Sequence, residues 1–256
     1  MTEIVGILNL TEDSFSDGGQ FNTVAKAQKR VDQLFEQGAD MIDIGAESTR
    51  PGAEEVAVLD EWNRLEPVIK NLRKNYPPEK FSIDTRHSEI VERVVDLWSP
   101  ELTINDVTGL HDDRMVEVVA SSGLKVIVSH IPKDANGDIV RAHEIKMTSP
   151  DQVRDELITK YIQIISRGIV WNNIIIDPGI GFGKSPQLNK DLLWFSRLAP
   201  NIPVMIGHSR KRFLGARRMQ ESANVRAGFV AAKAGASYLR VHDVAAHVQM
   251  LKDLSS

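Results

Sequence analysis

The sequence contains no cysteine, which excludes disulfides, thiolate zinc centres and cysteine nucleophiles together. No apolar stretch approaches the roughly 20 residues that a membrane span requires. The opening MTEIVGILNLTEDSF lacks a basic segment followed by an adequate apolar one, so no signal peptide is expected, and a soluble cytoplasmic protein is. A large excess of one charge is missing too. The 31 Lys and Arg against 35 Asp and Glu leave a net charge of −4, which argues against a nucleic-acid surface and makes any anion site local. Metal-binding spacings such as HxH, HExxH and CxxC are absent, and His87, His111, His143 and His247 read as surface or structural. The first βα turn carries no GxGxxG fingerprint.

What is present is a repeated strand. In Asn173–Lys184, NIIIDPGIGFGK, three isoleucines run into Asp177 and a glycine-rich turn. Such a continuous β-branched run suits a parallel strand buried on both faces. The same template recurs in Ile4–Asn9, Met41–Ala46, Phe81–Arg86, Leu102–Gly109, Lys125–His130, Pro203–Ser209 and Tyr238–Val244. Between these stretches lie segments of helical periodicity: Thr23–Gln37, capped by Asn22 or Thr23, then Asp60–Asn75, Ser88–Leu97, Asp113–Ser122, Pro150–Arg167, Leu188–Leu198, Glu221–Ala234 and Ala245–Leu254. Gly38, Gly123, Gly168 and Gly235 fall just past helix ends, where a left-handed residue is wanted. Eightfold βα alternation over 256 residues predicts a single-domain (β/α)8 TIM barrel spanning 1–256, with an open doubly wound sheet as the weaker alternative. The one long connection is Pro132–Ser149.

Barrel sites lie at the C-terminal ends of the strands. The residues there are expected to converge: Asn9, Asp43, Thr49, Arg50, Asp84, Asn105, Asp106, His130, Asp177, His208, Lys211, Arg240 and His242. Asp84, Asn105 and Asp177 side by side suit a ligand edge that presents several N–H groups, such as an aminopyrimidine. The plainer reading is that they bond nearby backbone amides or cap helices. Arg240 and His242, two apart on one strand, share a face. With Lys211 and Arg50 they suggest a phosphate or diphosphate. The plainer reading, solvated arginines and a Lys211 that merely pairs with Asp177, is kept for Arg210 and Arg212 but not for Lys211. A metal in such a site would be Mg²⁺, held through oxygens such as the Asn9 carbonyl. The polar, glycine-containing stretches 11–21 and 48–55 read as rim loops able to close over a substrate.

Seven motifs, GILNLTEDSFSDGG (Gly6–Gly19), DIGAESTRPG (Asp43–Gly52), SIDT (Ser82–Thr85), INDVTG (Ile104–Gly109), DPGIGFGK (Asp177–Lys184), GHSRK (Gly207–Lys211) and RVHDV (Arg240–Val244), together resemble the dihydropteroate synthases, pterin-binding enzymes of folate biosynthesis. The resemblance runs almost end to end and implies a (β/α)8 barrel. It implies a transferase that joins 6-hydroxymethyl-7,8-dihydropterin diphosphate to p-aminobenzoate, giving 7,8-dihydropteroate and diphosphate. By matching motif, Asp84, Asn105, Asp177 and Lys211 would hold the pterin, with Phe182 and Gly207 against it. Asn9 would bind Mg²⁺ with the diphosphate, assisted by Arg50, Arg240 and His242. Thr49, Pro51, Phe15 and Ser209 would line the p-aminobenzoate side, and Asp17 would approach the cation left by a dissociative, SN1-like displacement. Small-molecule partners, no nucleic acid or membrane, a homodimer and competition by sulfonamides are implied with it. The chain departs from the family pattern at Glu12, at His130-Ile131-Pro132, over 133–146 and at His208. The alternative is a pterin-binding paralogue with weak or no synthase activity.

Overall fold

The computed structural model of the chain describes residues 2–10, 20–47, 56–132, 147 and 149–255, with side chains from residue 24 onward in the second of these. Eight parallel strands follow one another: β1 (Glu3–Asn9), β2 (Met41–Gly45), β3 (Phe81–Asp84), β4 (Thr103–Asp106), β5 (Lys125–Ser129), β6 (Ile174–Asp177), β7 (Met205–Ile206) and β8 (Tyr238–Val241). Each pairs with its sequence neighbour, and β8 returns to pair with β1. Between β6 and β7 the contact is a single parallel bridge, Ile176 to Val204. The sheet is therefore closed, and the open doubly wound alternative is excluded.

Helices cover the outside: α1 (Gln20–Glu36), α2 (Val58–Leu72), α3 (Ser88–Leu97), α4 (Asp113–Ser122), α5 (Pro150–Ser166), α6 (Pro186–Asp191, continued as a 3₁₀ turn over Leu192–Leu198), α7 (Glu221–Lys233) and α8 (Val244–Ser255). Their starts are chemically marked. Asp112, Ser149 and Ser185 each accept a backbone N–H from the first turn of α4, α5 and α6, satisfying a donor that the helix itself leaves orphaned. The four glycines expected past helix ends all adopt left-handed φ, between +65° and +99°. One boundary differs from the sequence reading. Helix α1 starts at Gln20, so Asn22 and Thr23 lie inside it rather than capping it.

Strand alternation builds the site. Val5, Met41, Ile127, Ile175 and Met205 form a small apolar cluster of their own, with Tyr238 packed on it. Their outward-facing neighbours, including Ile4, Ile42, Val126, Ile174, Ile176 and Leu239, belong instead to the main core shared with the helices. Each such buried aliphatic side chain contributes roughly 1.5–3 kcal/mol. Because side chains repeat every second residue, the positions two further along carry the next inward layer. Those positions are Ile7, Asp43, Ser129, Asp177, Gly207 and Arg240. The barrel interior thus passes from an apolar floor to a polar upper layer within one step of the pleat.

Candidate active site

The polar layer is held together by Asp43, which is fully buried. Its carboxylate accepts from Ser82 Oγ at 2.5 Å, from Asn105 Nδ2 at 3.1 Å and from Arg240 Nε at 2.5 Å. Arg240 also donates through Nη2 to Asp84 Oδ2 at 2.8 Å. One guanidinium therefore bridges two carboxylates on neighbouring staves. Asn105 spends its amide N–H on Asp43, which leaves its Oδ1 buried with no partner among the described residues. An orphaned buried acceptor is unusual, since such groups are nearly always satisfied.

Asp177 stands at the end of β6. Its Oδ1 accepts the Gly179 N–H at 2.7 Å. The other oxygen faces Gly207, where an added Cβ would sit 3.5 Å from it. Asn105, Asp177, Phe182, Gly207, Lys211 and Arg240 line one cavity. Lys211 Nζ lies 4.7 Å from the centroid of the Phe182 ring, within cation–π range. It makes no ion pair with Asp177 within 4 Å among the described residues, so simple pairing of those two is not what holds it.

The charges strain against burial. Burial pushes Asp84 up to about 7, against the pull of Arg240 and with the push of Asp43. Burial raises Asp177 as well, opposed by the Gly179 N–H and by Lys211. Lys211 is lowered to about 8, by burial first and then by Arg240, with Asp177 and Asp84 pulling the other way. Three carboxylates (Asp43, Asp84, Asp177) against two cations (Arg240, Lys211) give the pocket a negative balance when all are ionised. It is suited to a guest rich in N–H donors or one that develops positive charge.

The turn after Asp177 is fixed from below. Lys184 is buried, and its Nζ donates to the carbonyls of Gly179 at 2.9 Å, Phe182 at 3.0 Å and His130 at 3.3 Å. Burial lowers its pKa to about 7. Gly179 has φ +65°, and a Cβ there would meet His130 O at 1.9 Å. Only glycine fits.

On the rim, Ser209 Oγ and His242 Nδ1 are 2.9 Å apart, and Ser209 Oγ also accepts the His242 backbone N–H at 3.3 Å. Asn9 ends β1 partly exposed, and no hydrogen bond of its side-chain amide is found among the described residues. Its carbonyl oxygen is a hard ligand of the kind Mg²⁺ takes, which fits a site completed by other oxygens. Phe15, Asp17, Thr49, Arg50 and Pro51 lie outside the described residues.

Three residues expected to converge point elsewhere. Asp106 is consumed by its own turn, accepting from Thr108 N, Thr108 Oγ1 and Leu110 N. His130 Nε2 faces Glu156 on α5 at 3.1 Å, and His208 Nε2 faces His247 on α8 at 3.2 Å. The reason is pleat parity: each directly follows an inward-facing residue, namely Asn105, Ser129 and Gly207. Arg210, read as solvated, pairs with Asp243 at 3.0 Å. Asp43 and Lys184 were visible in motifs, but nothing in the sequence marks the first as the centre of the polar layer or the second as a clamp.

The pterin-binding enzyme family matches this chain over residues 5–242. Dihydropteroate synthase of Streptococcus pyogenes serotype M6 is 37% identical, over 98% of this chain and 94% of its own length. Among solved structures, Xanthomonas albilineans dihydropteroate synthase with 4-aminobenzoic acid superposes with a TM-score of 0.86 at 37% identity, covering 99% of this chain and 92% of that one. The Burkholderia cenocepacia enzyme complexed with 7,8-dihydropteroate gives 0.84 at 29% identity, covering 100% and 91%. With a match of that extent over a barrel whose polar layer is intact, the chain belongs to the family of pterin-binding enzymes.

Proposed function

We propose that the protein is a transferase that condenses 6-hydroxymethyl-7,8-dihydropterin diphosphate with p-aminobenzoate, yielding 7,8-dihydropteroate and diphosphate. The carrying observation is the buried, unpartnered Asn105 Oδ1 in the same cavity as Asp177. A flat aminopyrimidine edge supplies the N–H groups that these acceptors lack. Phe182 and Lys211 form the wall against which the ring rests, and Gly207 leaves room beside Asp177.

The reaction requires no protein nucleophile. The methylene C–O bond breaks, and its electron pair leaves with the diphosphate. The resulting cation is delocalised over the pterin and is favoured by Asp84 and Asp177 in their ionised forms. Electrostatic preorganisation of this kind can dominate a rate enhancement. The amine of p-aminobenzoate then forms the C–N bond and loses a proton. His242 and the unspent N–H groups of Arg240 serve the departing diphosphate, with Arg50. By their place in the family motifs, Asp17 would act toward the cation, and Phe15, Thr49, Pro51 and Ser209 would serve the p-aminobenzoate side, where sulfonamides would compete. Mg²⁺ held through Asn9 would neutralise the diphosphate as a leaving group. The protein acts in the cytoplasm as a homodimer in this reading. No helix among the described residues is long and apolar enough to cross a membrane.

Purified protein incubated with Mg²⁺, the pterin diphosphate and p-aminobenzoate should release dihydropteroate and diphosphate in equal amounts. Pterin binding without product would identify a paralogue that has kept the pocket and lost the synthesis. Absence of pterin binding would overturn the assignment.

The raised Asp84 pKa adds a pH prediction. Below about 7 the carboxyl is protonated and loses its charge, so affinity for a pterin lacking the diphosphate should rise as pH passes through 7. Stability has the opposite sign. Between 3.8 and about 7 the folded form keeps a proton that the unfolded chain has released, so stability falls as pH rises through that window. Asp84→Asn should flatten both trends and lower kcat by roughly 100-fold or more, about 3 kcal/mol. Titrations and melts from pH 5 to 8.5 check this; a variant with parental turnover would remove the electrostatic part.

A further inference from the structure

Outside the pterin pocket, one cluster of polar atoms lacks the partners that burial demands. Glu61, in the first turn of α2, is wholly buried, yet neither carboxylate oxygen has a hydrogen-bond partner among the described residues. Burial pushes its pKa up to about 7; the nearby Thr85 hydroxyl pulls the other way but makes no hydrogen bond of normal geometry to it. His87, at the N-cap of α3, aims Nε2 into the same space, also unpartnered. This nitrogen lies 3.8 Å from Glu61 Oε2 and 3.9 Å from Oε2 of Glu47, which follows β2. One ligand atom from each of the three falls within 4.8 Å of the others.

Buried carboxylates persist when paired, hydrogen-bonded or coordinated to metal. Here the charge is partly matched already. Arg86 holds both Glu47 oxygens, with Nε at 3.0 Å and Nη2 at 3.1 Å, and the Val56 N–H adds a bond at 3.3 Å. Arg64, which donates to Ala46 O at 3.0 Å, also acts on Glu61. What Glu61 and His87 lack is a partner that accepts lone pairs from a carboxylate and an imidazole at once. A hydrogen-bonded outer group such as Arg86 is a usual support for a ligating carboxylate.

We propose that Glu47, Glu61 and His87 form a binding site for a first-row divalent cation, Zn²⁺ foremost. Imidazole with two carboxylates suits Zn²⁺ or Mn²⁺ better than Ca²⁺ or Mg²⁺. A tetrahedral zinc with bonds near 2.0 Å sets its ligands about 3.3 Å apart. The His87 nitrogen is 3.8 Å and 3.9 Å from the two carboxylate oxygens, and all three ligand atoms lie within 4.8 Å of one another, so the side chains must draw together to close on the ion. Water fills the fourth position. The ion ties the ends of β2 and β3 to the starts of α2 and α3. It is separate from the oxygen-ligated Mg²⁺ of the proposed reaction and does not depend on that reaction.

The test uses the full chain, stripped with chelator and dialysed, then titrated with ZnCl₂ by calorimetry and by thermal melting. One zinc per chain with micromolar or tighter affinity is expected, together with a rise in melting temperature. Glu61→Gln and His87→Gln should each weaken binding by about 100-fold or more and abolish the thermal response. If Glu61→Gln does not fold, His87→Gln decides, because that side chain is one-fifth exposed and its loss spares the core. The proposal is overturned by the absence of saturable zinc uptake in the parent, or by a His87→Gln titration that matches it.

Discussion

Asp177→Ala and Lys211→Ala should each abolish measurable pterin binding, a loss of at least about 4 kcal/mol or roughly 1,000-fold in affinity. Asp177 is an acceptor in the cavity and the residue whose other oxygen fixes the Gly179 amide. Lys211 stands over Phe182 and opposes two of the three carboxylates. Removing Asp177 discards the acceptor, while removing Lys211 leaves the carboxylates facing each other with Arg240 alone between them. Asp177→Asn keeps the volume and should lose affinity with little change in melting temperature, which separates recognition from folding. Arg217→Ala is the control: its side chain is exposed, outside the cavity, and affinity should stay within twofold. Calorimetric titration with dihydropterin reads all four variants. Parental affinity in both Asp177→Ala and Lys211→Ala would overturn the pocket assignment.

The second large effect concerns the backbone. Gly179→Ala should destabilise the protein by roughly 3–5 kcal/mol and displace the loop that carries Phe182. Two costs add. The left-handed φ of +65° disfavours any Cβ, and the Cβ would lie 1.9 Å from the His130 carbonyl, a backbone atom that Lys184 also holds. Relief requires moving β5 away from β6, or breaking the lysine clamp and stranding carbonyls in the interior. Chemical denaturation measures the loss. A variant within 1 kcal/mol of the parent, roughly the scale of the φ cost alone, would show that the loop can shift freely.

The barrel was legible because the strand regions are short apolar runs that end in polar or small residues, and four of the helices are followed by a glycine, Gly38, Gly123, Gly168 and Gly235. Alternation also decides which strand-end residues can face the barrel interior. Once Asn105 and Gly207 face inward, Asp106 and His208 must face outward, and the structure places them so. The partners of Arg240 were not legible. Asp43 and Asp84 lie 197 and 156 residues away in sequence, and no local pattern announces a guanidinium shared between staves. The same holds for His87, which carries no ligand spacing of its own; closure of the barrel brings it to Glu47 and Glu61. The helix α1 start was misplaced because Asn22 and Thr23 are strong capping types, and the helix extends past them to Gln20.

The most direct test of the central claim is a crystal structure of the protein with a dihydropterin bound. The aminopyrimidine edge is expected to bring N–H groups within hydrogen-bonding distance of Asn105 Oδ1 and Asp177 Oδ2, with the ring against Phe182 and Lys211. A pterin bound away from Asn105 and Asp177, or an Asn105 Oδ1 still without a donor in the complex, would contradict it.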